Sequence, residues 1–314
     1  LANLIPQAKA YLEQFYEMPL LQTLKPEEVR DMFAQMPAAD VELAPLAKME
    51  DKQIPVSDDA NIGIRIYTPE GEGPFPLFVY YHGGGWVIGD LETADATCRM
   101  IANKTERVVV SVDYRLAPEY KFPIPLEDSY AALEWVSEHA ASINGSASNI
   151  VVAGDSAGGN LATAVSMMSR DRQGPPIAAQ VLIYPVTDLS YNTGSYQEFG
   201  EGFGLDRDLM IWFGDYYINH EIDAKNIYAA PLLAQDVSGL PPAFVATAEC
   251  DVLRDEGMAY AKRLQEAGIH VEAYTEPGLI HGFFTNMAVF PEQIKGTIEK
   301  MDQFLAETKK SISL

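Results

Sequence analysis

The sequence predicts an α/β protein built on a mostly parallel sheet with helices on its flanks, and three observations carry that expectation. Short, nearly continuous apolar runs recur from Pro45 onward. Amphipathic stretches of helical period separate them, and the two kinds of segment alternate without internal repeats or low-complexity tracts. Strands buried on both faces have this unbroken apolar character, and their alternation with helices points to parallel crossover units. Candidate strands cover residues 78–81, 108–112, 150–153, 181–184, 244–247 and 271–274. Candidate helices between them cover 125–139, 160–171 and 257–267, and a leading antiparallel pair is expected at 52–56 and 63–67. In such a sheet the active site belongs at the carboxyl ends of the strands.

Two stretches break this rhythm. Residues 1 to 44 form one or two amphipathic helices with Leu12, Phe15, Tyr16, Leu20 and Leu21 on one face. Residues 188 to 225 begin as a polar, glycine-containing loop and become a helix bearing Leu209, Ile211, Trp212, Phe213, Tyr216 and Tyr217. Position alone leaves two readings open, ordinary peripheral helices or a cap over the active site.

Composition narrows the function classes. At 314 residues the chain is long enough for a large core, with 47% hydrophobic and 21% charged residues. Its formal net charge of −23, without lysine-arginine clusters, disfavours nucleic acid and anionic membranes as partners. No apolar stretch approaches the roughly 20 residues a membrane helix needs. Lys9, Glu13 and Glu17 interrupt the apolar residues near the N-terminus, unlike the core of a signal peptide. Two cysteines, Cys98 and Cys250, make no disulfide framework and fit a reducing compartment, so a cytoplasmic location is expected. Neither lies in a CxxC pair or near clustered histidines, and no metal site is expected.

Chemistry concentrates in three places. Gly154-Asp155-Ser156-Ala157-Gly158 sits between a strand-like and a helical run, the context of a nucleophile elbow. There Ser156 would be held in a strained turn that lifts its hydroxyl above the sheet, with small residues two before and two after. His82-Gly83-Gly84-Gly85-Trp86 follows another strand. Its glycines leave backbone N–H groups open to a substrate oxygen, so this is the expected oxyanion loop, with the amides of Gly84, Gly85 and Ala157 as donors.

A serine hydroxyl needs a base. Of five histidines, His82 belongs to the oxyanion loop, while His139, His220 and His270 flank predicted elements. His281, in Pro277-Gly278-Leu279-Ile280-His281-Gly282-Phe283, lies on a loop after the last strand and is the expected base. The acid should follow the penultimate strand in the chain order Ser, acid, His. Glu249, Asp251 and Asp255 all qualify on spacing, although Asp255 suits a helix start better. Between Glu249 and Asp251 the residues give only a weak preference for Asp251.

Together these motifs resemble the bacterial hormone-sensitive lipase family of carboxylesterases. The resemblance covers about residues 45 to 290 and rests on His82-Gly83-Gly84-Gly85-Trp86, Asp113-Tyr114-Arg115-Leu116-Ala117-Pro118-Glu119, Gly154-Asp155-Ser156-Ala157-Gly158-Gly159 and His281-Gly282-Phe283. It implies the α/β-hydrolase fold, with a helical cap formed by residues 1–44 and 188–225 over a core formed by 45–187 and 226–314. It also assigns the acid to Asp251, where the family carries the first aspartate of a D-P-L-x-D segment. Val252 stands where that segment usually has proline. A structural role is implied for residues 113–119, with the acidic neighbours of Arg115 expected to neutralise it. A homodimer through the last strand and helix is a further implication.

The expected activity is hydrolysis of short- to medium-chain carboxylic esters by an acyl-enzyme route through Ser156, His281 and Asp251, with no cofactor. The chain length rests on the family resemblance. An amidase or peptidase with the same triad is the first rival, and a non-catalytic ligand-binding member of the fold is the second. Trp86, Phe203, Trp212, Phe213 and Tyr217 are candidates for an apolar acyl pocket or, equally, for packing core.

Overall fold

The structure is a computed structural model and describes residues 3–36 and 40–312. Residues 1, 2 and 37–39 of the expected N-terminal cap segment, and 313 and 314 of the second core segment, lie outside them.

Eight strands form one sheet: β1 (Lys48–Pro55), β2 (Asn61–Thr68), β3 (Phe75–Tyr81), β4 (Val108–Asp113), β5 (Gly145–Asp155), β6 (Ala179–Ile183), β7 (Ala243–Cys250) and β8 (Val271–Ile280). Their spatial order is β1-β2-β4-β3-β5-β6-β7-β8. The expected leading pair is present, with β1 antiparallel to β2 and β2 antiparallel to β4; every other pairing is parallel. The chain moves from β3 to β4 on one side, then returns to β5 on the other. This reversal opens a crevice at the carboxyl ends of β3 and β5.

The apolar runs are the strands because they are the segments that tolerate burial on both faces. All of β6 is buried, as are the first five residues of β4. Several strands extend beyond their apolar centres, β5 and β8 the furthest. β5 begins five residues earlier than expected, and β8 continues through Thr275, Glu276 and Pro277 to Ile280. The outer strand β8 stays half-exposed through its first six residues, so its polar half carries no periodic burial signal.

Helices cover the sheet: α1 (Pro6–Phe15), α2 (Pro26–Ala34), α3 (Asp95–Thr105), α4 (Ile124–Glu138), α5 (Ala157–Arg172), α6 (Gly194–Phe199), α7 (Arg207–Tyr217), α8 (Arg254–Glu266) and α9 (Pro291–Ile312). The most deeply set is α5, whose residues from Ala157 to Ser169 are all buried. That explains its small and apolar residues, which let β5 and β6 approach it closely.

Arg115 is neutralised from a different place than its neighbours in sequence suggest. Its side chain forms two hydrogen bonds to Asp128 of α4, from Nε at 2.8 Å and Nη2 at 2.6 Å. Glu119 instead receives both terminal nitrogens of Arg30 on α2, each at 2.9 Å. Residues 113–119 therefore join the core to the N-terminal segment. Among the described residues no helix is long and apolar enough to cross a membrane.

Candidate active site

Ser156 occupies the turn between β5 and α5 with φ 57° and ψ −119°. An L-residue rarely adopts this conformation, and surrounding structure must hold it there. Three backbone hydrogen bonds do so: Ser156 N–H to the Ile183 carbonyl at 2.9 Å, and Val186 N–H and Asn160 N–H to the Ser156 carbonyl at 3.2 and 3.0 Å. The flanking glycines answer a spatial demand. A Cβ on Gly158 would collide with the Tyr81 carbonyl, and one on Gly154 would collide with the Gly158 backbone.

His281 follows β8 directly, and its Nε2 lies 2.9 Å from Ser156 Oγ. Its Nδ1 lies 2.8 Å from Asp251 Oδ2, while the other oxygen of Asp251 accepts the Leu253 N–H at 2.9 Å. Geometry thus separates the three acid candidates. Glu249 accepts the Gly278 N–H at 2.6 Å, and Asp255 lies in the first turn of α8, accepting the Ser195 N–H at 2.7 Å. Only Asp251 of the three hydrogen-bonds to His281 among the described residues. The Tyr184 ring sits 4.4 Å from the His281 ring between centroids, and its hydroxyl accepts the Phe284 N–H at 3.3 Å.

The loop after β3 places Gly84 and Gly85 at φ 111° and 59° beside the elbow. Gly83 N–H donates to Asp155 Oδ1 at 2.9 Å, and the Ser156 N–H is already engaged with Ile183. The amides of Gly84, Gly85 and Ala157 remain, the last being the first amide of α5 with no intrahelical acceptor. His82 is buried and stacked on Tyr114 at 4.4 Å; burial pushes its pKa down and favours the neutral ring. Trp86 is also buried, stacked at 4.1 Å on Tyr217. Those two rings are packing core, whereas Phe213 lies directly against Gly85, where a Cβ would strike its ring.

Asp155 has contacts that the motif alone does not reveal. Its Oδ1 accepts both the Tyr80 hydroxyl at 2.7 Å and the Gly83 N–H at 2.9 Å. One carboxylate therefore ties the glycine loop to the elbow. Burial pushes its pKa up, opposed by the Tyr80 hydrogen bond, the nearby His281 charge and the Gly83 amide. The available signal was an acidic residue between a buried strand and a buried helix, a place where a charge needs partners.

The two segments that break the sequence rhythm meet each other above these loops. Tyr16 donates to Asp206 at 2.8 Å and accepts the Gly204 N–H at 3.0 Å, and Trp212 Nε1–H donates to the Leu24 carbonyl at 3.2 Å. Arg30 reaches the Val87 and Ala117 carbonyls at 2.8 and 2.6 Å, next to the glycine loop. Buried Glu256 accepts the Thr187 and Asp188 amides at 2.7 and 3.1 Å, fixing the start of the second segment. Among the described residues, no cluster of three or more His, Cys, Asp or Glu side chains is placed to hold a metal ion.

A family model described as the alpha/beta hydrolase fold matches residues 78–285, a span containing the glycine loop, the elbow, Asp251 and His281. The chain belongs to the α/β-hydrolase family. This α/β-hydrolase is similar to the carboxylesterase NlhH of Mycobacterium tuberculosis, with 41% identity over 260 residues covering 82% of each chain. It is also similar to an arylesterase of Saccharolobus solfataricus, with 37% identity over 88% of this chain and 91% of that one. Among solved structures, a fungal esterase from Rhizomucor miehei matches with a TM-score of 0.93 and 37% identity, covering 99% of this chain and 98% of the other.

Asp155→Ala removes the acceptor shared by Gly83 and Tyr80. Its kcat on p-nitrophenyl acetate is expected to fall about 10²-fold, comparable to the loss of one oxyanion donor, with little change in KM. Asp155→Asn retains an acceptor oxygen and should keep most of the rate. Steady-state kinetics on both variants check this, and equal rates in wild type and Asp155→Ala would refute the linkage.

Proposed function

We propose that this α/β-hydrolase is a serine carboxylesterase acting on short- to medium-chain esters through an acyl-enzyme on Ser156. The observation that carries the proposal is the relay from Asp251 through His281 to Ser156, with contacts of 2.8 and 2.9 Å. Ser156 Oγ attacks the ester carbonyl while His281 Nε2 takes its proton. Asp251 holds the imidazole in the tautomer that leaves Nε2 free to accept, and stabilises the imidazolium as it forms. The amides of Gly84, Gly85 and Ala157 then donate to the oxyanion of the tetrahedral intermediate. Collapse expels the alcohol, which takes the proton from His281, and water repeats the sequence on the acyl-enzyme to release the acid. The names of the carboxylesterase and arylesterase relatives support ester substrates.

In this proposal residues 1–44 and 188–225 act as a two-part cap, supported by the Tyr16–Asp206 and Trp212–Leu24 hydrogen bonds. Phe213 against Gly85 bounds the acyl side, while the net charge of −23 suits dissolved substrates better than lipid interfaces. Hydrolysis of p-nitrophenyl esters from acetate to palmitate, with Ser156→Ala alongside, tests the reading. Activity should peak at short chains and disappear in the variant. Rates rising steadily toward palmitate would overturn the chain-length assignment, and an active Ser156→Ala would overturn the mechanism.

The proposal extends to a homodimer across β8, the outer strand of the sheet, whose half-exposed first six residues lie at its edge. Sedimentation should give twice the chain mass, and a monomer at micromolar concentration would remove this part.

A further inference from the structure

The amino ends of the parallel strands, opposite the catalytic crevice, hold a feature that ester hydrolysis does not use. Pro76 of β3 pairs with Ser146 of β5, but the next residue, Leu77, pairs with Ile150. Ala147, Ser148 and Asn149 are therefore left out of the ladder. Such bulges re-aim side chains and end local pairing. Here the bulge borders a cavity of about 320 Å³ whose wall includes Arg107, Ser146, Ser148, Asn149 and Thr308 and, among the described residues, no acidic side chain.

Arg107, immediately before β4, is only 5% exposed. Its Nη1 makes one long hydrogen bond to Asn149 Oδ1 at 3.3 Å, and its buried Nε has no partner among the described residues. The charge of Asp302 reaches it, yet among the described residues no carboxylate comes within ion-pair distance. Burial pushes the Arg107 pKa down to about 10, the direction expected of an under-compensated cation. Elsewhere in the molecule even the less deeply buried Arg115 has a bidentate carboxylate. The hydroxyls of Ser146 and Ser148, 2.9 Å apart, can turn to donate into the same space.

We propose that this cavity is a second binding site, for a small oxyanion held by the Arg107 guanidinium and the bulge hydroxyls. A carboxylate or phosphate offers paired oxygens that match the guanidinium fork. The site stands apart from the proposed catalytic machinery, since it lies at the amino end of β5 and Ser156 follows that strand's carboxyl end.

Calorimetric titration of the full chain with inorganic phosphate, and separately with acetate, at ionic strength held constant by sodium chloride, tests the proposal. Saturable one-site binding of either anion in the millimolar range is expected, and the anion that binds distinguishes a phosphate from a carboxylate site. Ser156→Ala should bind equally well. Ser148→Asp puts a fixed carboxylate at an exposed bulge position, so folding is expected to survive while affinity falls about tenfold or more. Arg107→Met should lose binding altogether; if it does not fold, Ser148→Asp decides. No saturable binding of either anion overturns the proposal, as does undiminished affinity in the foldable variants or binding that disappears in Ser156→Ala.

Discussion

The backbone of Ser156, at φ 57° and ψ −119°, costs about 1–3 kcal/mol relative to relaxed conformations and cannot hold itself. What holds it is the contact between β3, β5 and α5, where only hydrogen atoms fit on Gly154 and Gly158. The parallel pairing of β3 with β5 brings the Tyr81 carbonyl against Gly158, and the same pairing sets the glycine loop beside the serine. Burial of α5 from Ala157 to Ser169 then prevents the turn from relaxing outward. The sheet's tight centre and the serine hydroxyl at its rim are thus one constraint.

Buried carboxyl groups around that rim each satisfy specific donors. Asp155 takes Tyr80 and Gly83, Asp251 takes Leu253 and His281, and Glu256 takes Thr187 and Asp188. Each ties together segments distant in sequence, so removing one disturbs loop position as well as charge. In the proposed mechanism the imidazolium of His281 forms in direct contact with Asp251, with Asp155 acting on it through space. Fixed negative charge at that point favours the proton transfer that activates Ser156, and it needs no rearrangement during the reaction.

Much of this was legible in the sequence because the informative features are local. A strand, a small-residue turn and a helix are adjacent in the chain, so the elbow and the glycine loop announce themselves. His281 followed from its place after the last strand, even though β8 reaches as far as Ile280. Glu249 and Asp251 were harder to separate, being two residues apart at one strand end. A shift in the β7–β8 register between Ala248 and Cys250 accompanies their different partners, and residue spacing carries no trace of it. The partners of Arg115 and Glu119 were out of reach for a similar reason: Asp128 and Arg30 come from helices whose docking depends on the completed fold. Trp86 and Tyr217 looked equally suited to pocket and core, and only their stacking decides.

The helices of residues 188–225 and the N-terminal segment make more contact with each other and with loop carbonyls than an ornamental covering requires, Arg30 alone spanning Val87, Ala117 and Glu119. In the proposed cap they would bear on access to Ser156 as well as on stability. The central claim concerns Ser156 itself, and its most direct measurement is mass spectrometry of the chain after reaction with a fluorophosphonate. The account predicts one adduct per chain, on the peptide carrying Ser156, and none after His281→Ala under the same exposure. An unlabelled chain, or an adduct on any other residue, would contradict it.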